Sequence, residues 1–162
     1  MISEYINSKS KVVDATCGNG HDTLFLSNIV TKGHIYTFDI QKEAIENAKK
    51  LVNATNVTYI NDSHENVLDY VKEVDAAIFN LGYLPNSESA TTTNYKTTIS
   101  AVDNILKILS KDGIIVITVY IGHKEGRIES KKLMKYVKKL NRPVSIYKLV
   151  NRKNAPFVIT IK

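Results

Sequence analysis

Two short stretches of this chain carry side chains whose types and order suit chemistry. The first is Val13-Asp14-Ala15-Thr16-Cys17-Gly18-Asn19-Gly20-His21-Asp22-Thr23. Gly18 and Gly20 permit a tight turn and a close approach of backbone to a ligand. A dinucleotide loop wants a third small residue where Thr23 stands, so G-x-G-x-x-G is not completed. Instead an acid, Asp14, ends the apolar run ahead of the glycines. A carboxylate there attracts an ammonium or sulfonium and repels a pyrophosphate. The stretch from Asp14 to Asp22 therefore reads as a loop for a nucleoside cofactor with a cationic amino-acid end. Cys17 lies inside it and reads as a small packed residue rather than a nucleophile.

Asp39 follows nineteen residues after Gly20, closing a second apolar run. An acid at that place accepts hydrogen bonds from both ribose hydroxyls of a nucleoside. Gln41 either lines an adenine pocket or simply opens the next helix. Ser63 and His64, in Asp62-Ser63-His64, either contact the adenine or belong to a helix cap before Glu65. His64 has no second metal ligand at usable spacing, so no metal site is expected.

The second stretch is Asp75-Ala76-Ala77-Ile78-Phe79-Asn80-Leu81-Gly82-Tyr83-Leu84-Pro85. An apolar strand breaks off at Asn80, whose amide carbonyl can accept a hydrogen bond from an amine and aim its lone pair. Tyr83 can stack on a base or cover a reacting group. Asn-Leu-Gly-Tyr is similar to the Asn/Asp-Pro-Pro-Tyr motif of amino-methyltransferases. His123 is the best-placed residue for proton handling. The expected reacting set is thus Asn80, Tyr83 and His123.

These residues need a scaffold. Apolar, β-rich runs predict strands over 11–15, 34–40, 57–61, 74–80 and 113–120. Helical patterns fall between and after them, over 22–30, 42–54, 65–72, 95–110 and 129–140, with a cap at Thr93 or Asn94. The alternation implies parallel strands joined by right-handed crossovers. Runs at 144–150 and 157–161 are separated only by a turn and predict an antiparallel hairpin. The expectation is a doubly wound, mostly parallel seven-stranded α/β sheet with a C-terminal antiparallel hairpin, in one domain over 1–162.

The chain has 162 residues, 43% of them apolar, and one cysteine. That suffices for a core without disulfides. No run has the length of a membrane span, no signal-peptide core is visible, and a cytoplasmic location is expected. About ten residues precede the first strand. The net charge is +6, but residues 124–153 hold eleven Lys or Arg against Glu125 and Glu129, leaving about −3 elsewhere. Such a basic third favours an anionic partner, nucleic acid first. By spacing alone, Lys131, Lys132, Lys135, Lys138 and Lys139 spread over several helix faces.

VVDATCGNGHDTLFL at residues 12–26, Phe38-Asp39-Ile40-Gln41, Asp62-Ser63-His64 and NLGYLP at 80–85 together resemble the bacterial rRNA-methylase-like family of YtqB/MnmM type. The resemblance spans nearly the whole chain. It implies a Rossmann-like class I methyltransferase that uses S-adenosyl-L-methionine. It implies cofactor contacts near Asn19, His21, Asp39, Gln41, Ser63 and His64. It implies the anticodon stem-loop of tRNA as partner, with the 5-aminomethyl nitrogen of a wobble 2-thiouridine as methyl acceptor, and a homodimer. Relatives carry a longer helical segment ahead of the first strand, and glycines and a lysine where this chain has 86-NSESATTT-93. Competing readings are a methyltransferase for rRNA or a small-molecule amine, a nicotinamide-dependent oxidoreductase, and a non-enzymatic RNA-binding module. Thr23 and the terminal hairpin argue against the oxidoreductase.

Overall fold

A computed structural model describes residues 1–81, 94–122 and 124–162. Its strands are β1 (Lys11–Asp14), β2 (His34–Phe38), β3 (Val57–Ile60), β4 (Val74–Leu81), β5 (Leu109–Val119), β6 (Val144–Lys148) and β7 (Phe157–Ile161). They form one sheet in the order β3-β2-β1-β4-β5-β7-β6. Pairing is parallel from β3 through to β5, while β7 runs antiparallel to both β5 and β6. This is the doubly wound sheet with a terminal hairpin that the alternation of runs predicts. Strand order reverses between β1 and β4, which opens a crevice at their carboxyl ends.

The helices are α1 (His21–Ile29), α2 (Lys42–Leu51), α3 (Val67–Tyr70), α4 (Tyr95–Ile108) and α5 (Lys124–Val137). The inner strands are apolar on both faces because both are covered. Val13, Ala77, Phe79, Ile115 and Ile117 pack with Val67, Ala101, Val102, Ile105, Leu133 and Val137, from α3, α4 and α5. Their neighbours Val12, Ala76, Ile114 and Val116 face the other way, onto Leu26 and Val30 at α1 and onto Ile2 and Ile6. Each Val, Leu, Ile or Phe among them contributes roughly 1.5–3 kcal/mol on leaving water. Among the described residues no helix is long and apolar enough to cross a membrane.

Three elements depart most from expectation. The 65–72 helix is reduced to a 3-10 turn at His64–Asn66 followed by the single turn of α3. β5 begins at Leu109, inside the expected 95–110 helix. Leu109 pairs with Val74, and the register then shifts between Val74 and Ala76, so polar 110–112 are accommodated at an irregularity instead of ending the strand. α5 begins at Lys124, earlier than 129. Asn94 caps α4, its side chain accepting the Lys96 N–H. Thr93 lies outside the described residues.

The lysines of α5 also differ from the spacing-based reading. Gly126, Glu129, Leu133 and Val137 are buried, whereas Arg127, Lys131, Lys132, Lys135, Lys138 and Lys139 are all exposed. The helix is cleanly two-sided, and its continuation past Val137 keeps the cations on the outer side.

Candidate functional site

The carboxyl ends of β1, β2 and β4 bring the two chemical stretches together. β1 leads into a turn in which Gly18 has φ 50° and Gly20 φ 87°. Gly20 stands at the N-cap of α1, and a Cβ there would lie 2.8 Å from the Cα and Cβ of Ala48 in α2. Both the backbone conformation and the close helix approach therefore require glycine at this position.

Asp39, just beyond β2, reaches over to this turn. Its Oδ2 accepts the Gly18 N–H at 2.9 Å and its Oδ1 accepts the Gln41 N–H at 2.9 Å. Each oxygen keeps acceptor capacity for a further donor, since an ionised carboxylate has about four lone-pair sites. Gln41 is the N-cap of α2, but its side chain makes no cap hydrogen bond. Asn19 turns towards α2, its Oδ1 accepting from Asn47 Nδ2 at 3.3 Å. His21 is exposed at the first position of α1.

Asp14 is placed differently from the sequence reading. Its carboxylate is fully buried beneath the turn. Thr23 Oγ1 donates to Asp14 Oδ2 at 2.6 Å, and the Thr16 N–H donates to Oδ1 at 3.1 Å. Thr37 Oγ1 lies 3.0 Å from Thr23 Oγ1. The acid braces the turn from below. Burial pushes its pKa up to about 7, with the Thr23 hydroxyl opposing the shift. Cys17 is buried too, and burial together with the Asp14 charge pushes its thiol up to about 12. A thiol held protonated is no nucleophile.

His64 lies against the same strand end. Its Nδ1 is 2.8 Å from the Ala15 carbonyl, which can only accept, so Nδ1 carries the proton. The ring meets Phe79 edge-on, with centroids 5.6 Å apart. Burial pulls its pKa below the ordinary imidazole value. Its Nε2 is buried without a hydrogen-bond partner among the described residues. Ser63 donates from Oγ to Glu65 Oε1 at 3.2 Å and makes no side-chain cap.

Asn80, near the end of β4, is exposed and sits beside the glycine turn. Its backbone N–H donates to Thr16 Oγ1 at 2.7 Å, and its Nδ2 donates to Asp22 Oδ2 at 3.2 Å. A carboxylate accepts only, so Asp22 takes the NH2 side of the amide and leaves Oδ1 as an acceptor without a partner among the described residues. The Asn80 amide and the glycine turn thus lie together at the carboxyl ends of β1 and β4. Tyr83 and His123 lie outside the described residues. Sequence reasoning missed Thr16, Thr23 and Thr37 as bracing residues. A signal did exist: Thr37 is a polar residue inside a buried strand, and such a hydroxyl needs a partner.

This arrangement resembles known proteins. Residues 35–162 match the model of the family described as "Putative rRNA methylase". The chloroplastic tRNA (mnm(5)s(2)U34)-methyltransferase of Arabidopsis thaliana is 34% identical over 177 residues, covering 96% of this chain. The chain spans 64% of the length of that relative. The crystal structure of a "putative rRNA-methylase" from Clostridium thermocellum superposes with a TM-score of 0.96 at 36% identity, covering 99% of this chain and 92% of that one. The Streptococcus mutans protein SMU.1697c, a "putative methyltransferase" in complex with SAH, gives a TM-score of 0.89 at 36% identity with the same coverages.

Proposed function

The chain belongs to the "Putative rRNA methylase" family, and from that membership we propose that it is an S-adenosylmethionine-dependent methyltransferase acting on an amine of tRNA. The acceptor in this reading is the 5-aminomethyl nitrogen of 5-aminomethyl-2-thiouridine at the wobble position, and the product is 5-methylaminomethyl-2-thiouridine. The relative from Arabidopsis supports the substrate, and the SAH-bound relative supports the cofactor.

The residues present fit that cofactor. Asp39 has acceptor capacity left after binding two backbone N–H groups, as a ribose diol requires. Gly18, Asn19 and Gly20 form the turn beside it, and Gln41, Ser63 and His64 stand at the ends of the neighbouring elements. When bound, S-adenosylmethionine supplies a methyl group already activated on sulfur. The protein's task is then alignment and keeping the acceptor nitrogen neutral.

The observation that carries the reading is the orientation of Asn80. Asp22 engages its amide nitrogen, so Oδ1 is left to accept a hydrogen bond from an incoming amine. That bond turns the nitrogen lone pair towards the cofactor side. Tyr83 as a cover and His123 as a proton acceptor complete the proposed set.

The test is nucleoside mass spectrometry on tRNA carrying unmethylated 5-aminomethyl-2-thiouridine, incubated with the purified protein and S-adenosylmethionine. One methyl group should appear on the aminomethyl nitrogen. Label entering rRNA or a free amine, with tRNA unchanged, would favour the other methyltransferase readings.

A further inference from the structure

We infer that the outer side of α5 is the surface on which the RNA backbone lies, so that a stem held along this helix delivers its loop to the crevice. This rests on the RNA-methylating reading above and goes beyond it by placing the substrate.

α2 is an ordinary solvated helix of this chain: its exposed positions mix Lys42, Lys49 and Lys50 with Glu43 and Glu46, and Lys49 pairs with Glu46 at 3.1 Å. α5 and its continuation differ. From Arg127 to Lys139 every charged residue on the outer side is a cation. The acid of that span, Glu129, is turned inward, where Thr98 Oγ1 donates to it at 3.3 Å. Among the described residues no ion pair engages Arg127, Lys131, Lys135 or Lys138. Like charges one turn apart destabilise a helix, so a one-sign stripe is not what helix stability alone would select.

Geometry adds the direction. Arg127, Lys131 and Lys135 follow at i, i+4 and i+8, which aligns them along the axis at about 5–6 Å intervals. That spacing is comparable with the distance between successive phosphates of one RNA strand. α5 starts after β5, at the same carboxyl edge of the sheet that carries the glycine turn, Asp39 and Asn80. The stripe therefore runs from that edge of the sheet down the flank of the molecule for about 20 Å. Midway along it, Lys132 Nζ lies 5.6 Å from the Tyr95 ring, which ties α5 to the start of α4.

The test compares two triple variants of equal charge. Arg127→Ala/Lys131→Ala/Lys135→Ala empties the stripe. Lys9→Ala/Lys32→Ala/Lys111→Ala removes exposed lysines at the opposite, amino-terminal edge of the sheet. Binding of a short fluorescein-labelled RNA stem-loop is followed by anisotropy over a potassium chloride series. Calorimetry with S-adenosylmethionine checks that each variant is folded.

The stripe variant should lose about 2–3 from the slope of log affinity against log salt and bind at least tenfold more weakly at low salt. Its KM for tRNA should rise while its KM for S-adenosylmethionine does not. The control triple should keep the wild-type slope. Equal slopes for the two triples would overturn the inference. So would a stripe variant that keeps its RNA affinity but no longer sediments with phosphatidylserine vesicles. If wild type methylates tRNA and the stripe variant keeps its KM for tRNA, the placement fails and the function stands. If wild type transfers no methyl group to tRNA, the function fails, and the anisotropy slopes still decide the stripe.

Discussion

Asp14 is the residue whose environment has the sharpest consequence. Its carboxyl is enclosed by Thr16, Thr23 and Thr37 under the turn, and burial raises its pKa from 3.8 to about 7. An acid whose pKa is higher folded than unfolded holds its proton more tightly in the folded state. Its contribution to stability is therefore complete below pH 3.8 and is lost as pH rises through about 7. Asp14→Asn has no proton to release. Urea unfolding between about pH 4 and 7 should show wild type losing about 3–4 kcal/mol relative to that variant. Parallel pH profiles would mean the carboxyl is solvated. The sequence marked Asp14 but not its burial or its partners. An acid at a strand end can face the crevice or turn beneath the loop, and only its partners, the Thr16 backbone N–H and the hydroxyls of Thr23 and Thr37, decide between them. The place of Asp39 beside the glycine turn was legible because its partners there are backbone N–H groups, which any sequence supplies.

At the scale of elements, the βα turn after β1 carries the site, and Gly20 is its most constrained point. Gly20→Ala would place a Cβ 2.8 Å from Ala48 at a φ of 87°. Strain and the forced separation of α1 from α2 should together cost about 2–3 kcal/mol. Thermal unfolding should show the loss, and calorimetry should show weakened S-adenosylmethionine binding. A variant with wild-type melting temperature and affinity would show that the turn relaxes freely. Strands were the most legible elements, because continuous Val, Ile and Ala runs bounded by polar residues leave little choice. Helix ends were less so. α3 shrank to one turn because its residues share the segment with a 3-10 turn that presents His64 to the Ala15 carbonyl, a tertiary contact invisible in helical periodicity. β5 started early because pairing with Val74 overrides the local helix pattern at Leu109.

For the whole molecule, topology is what converts two distant stretches into one site. Residues 16 and 80 meet because β1 and β4 are adjacent and parallel at the reversal of strand order. The β-α alternation made that adjacency legible, whereas the face of α5 that carries the cations needed the observed burial of Glu129, Leu133 and Val137. The most direct test of the account is single-turnover methyl transfer to tRNA by Asn80→Ala at saturating S-adenosylmethionine, with cofactor affinity measured on the same preparation. Affinity should stay near wild type, in contrast to Asp39→Ala, which should lose cofactor binding. The Asn80→Ala transfer rate should fall roughly 100-fold as the acceptor amine loses its orientation. A transfer rate equal to wild type would contradict the assignment of the reacting end to the amide at the close of β4.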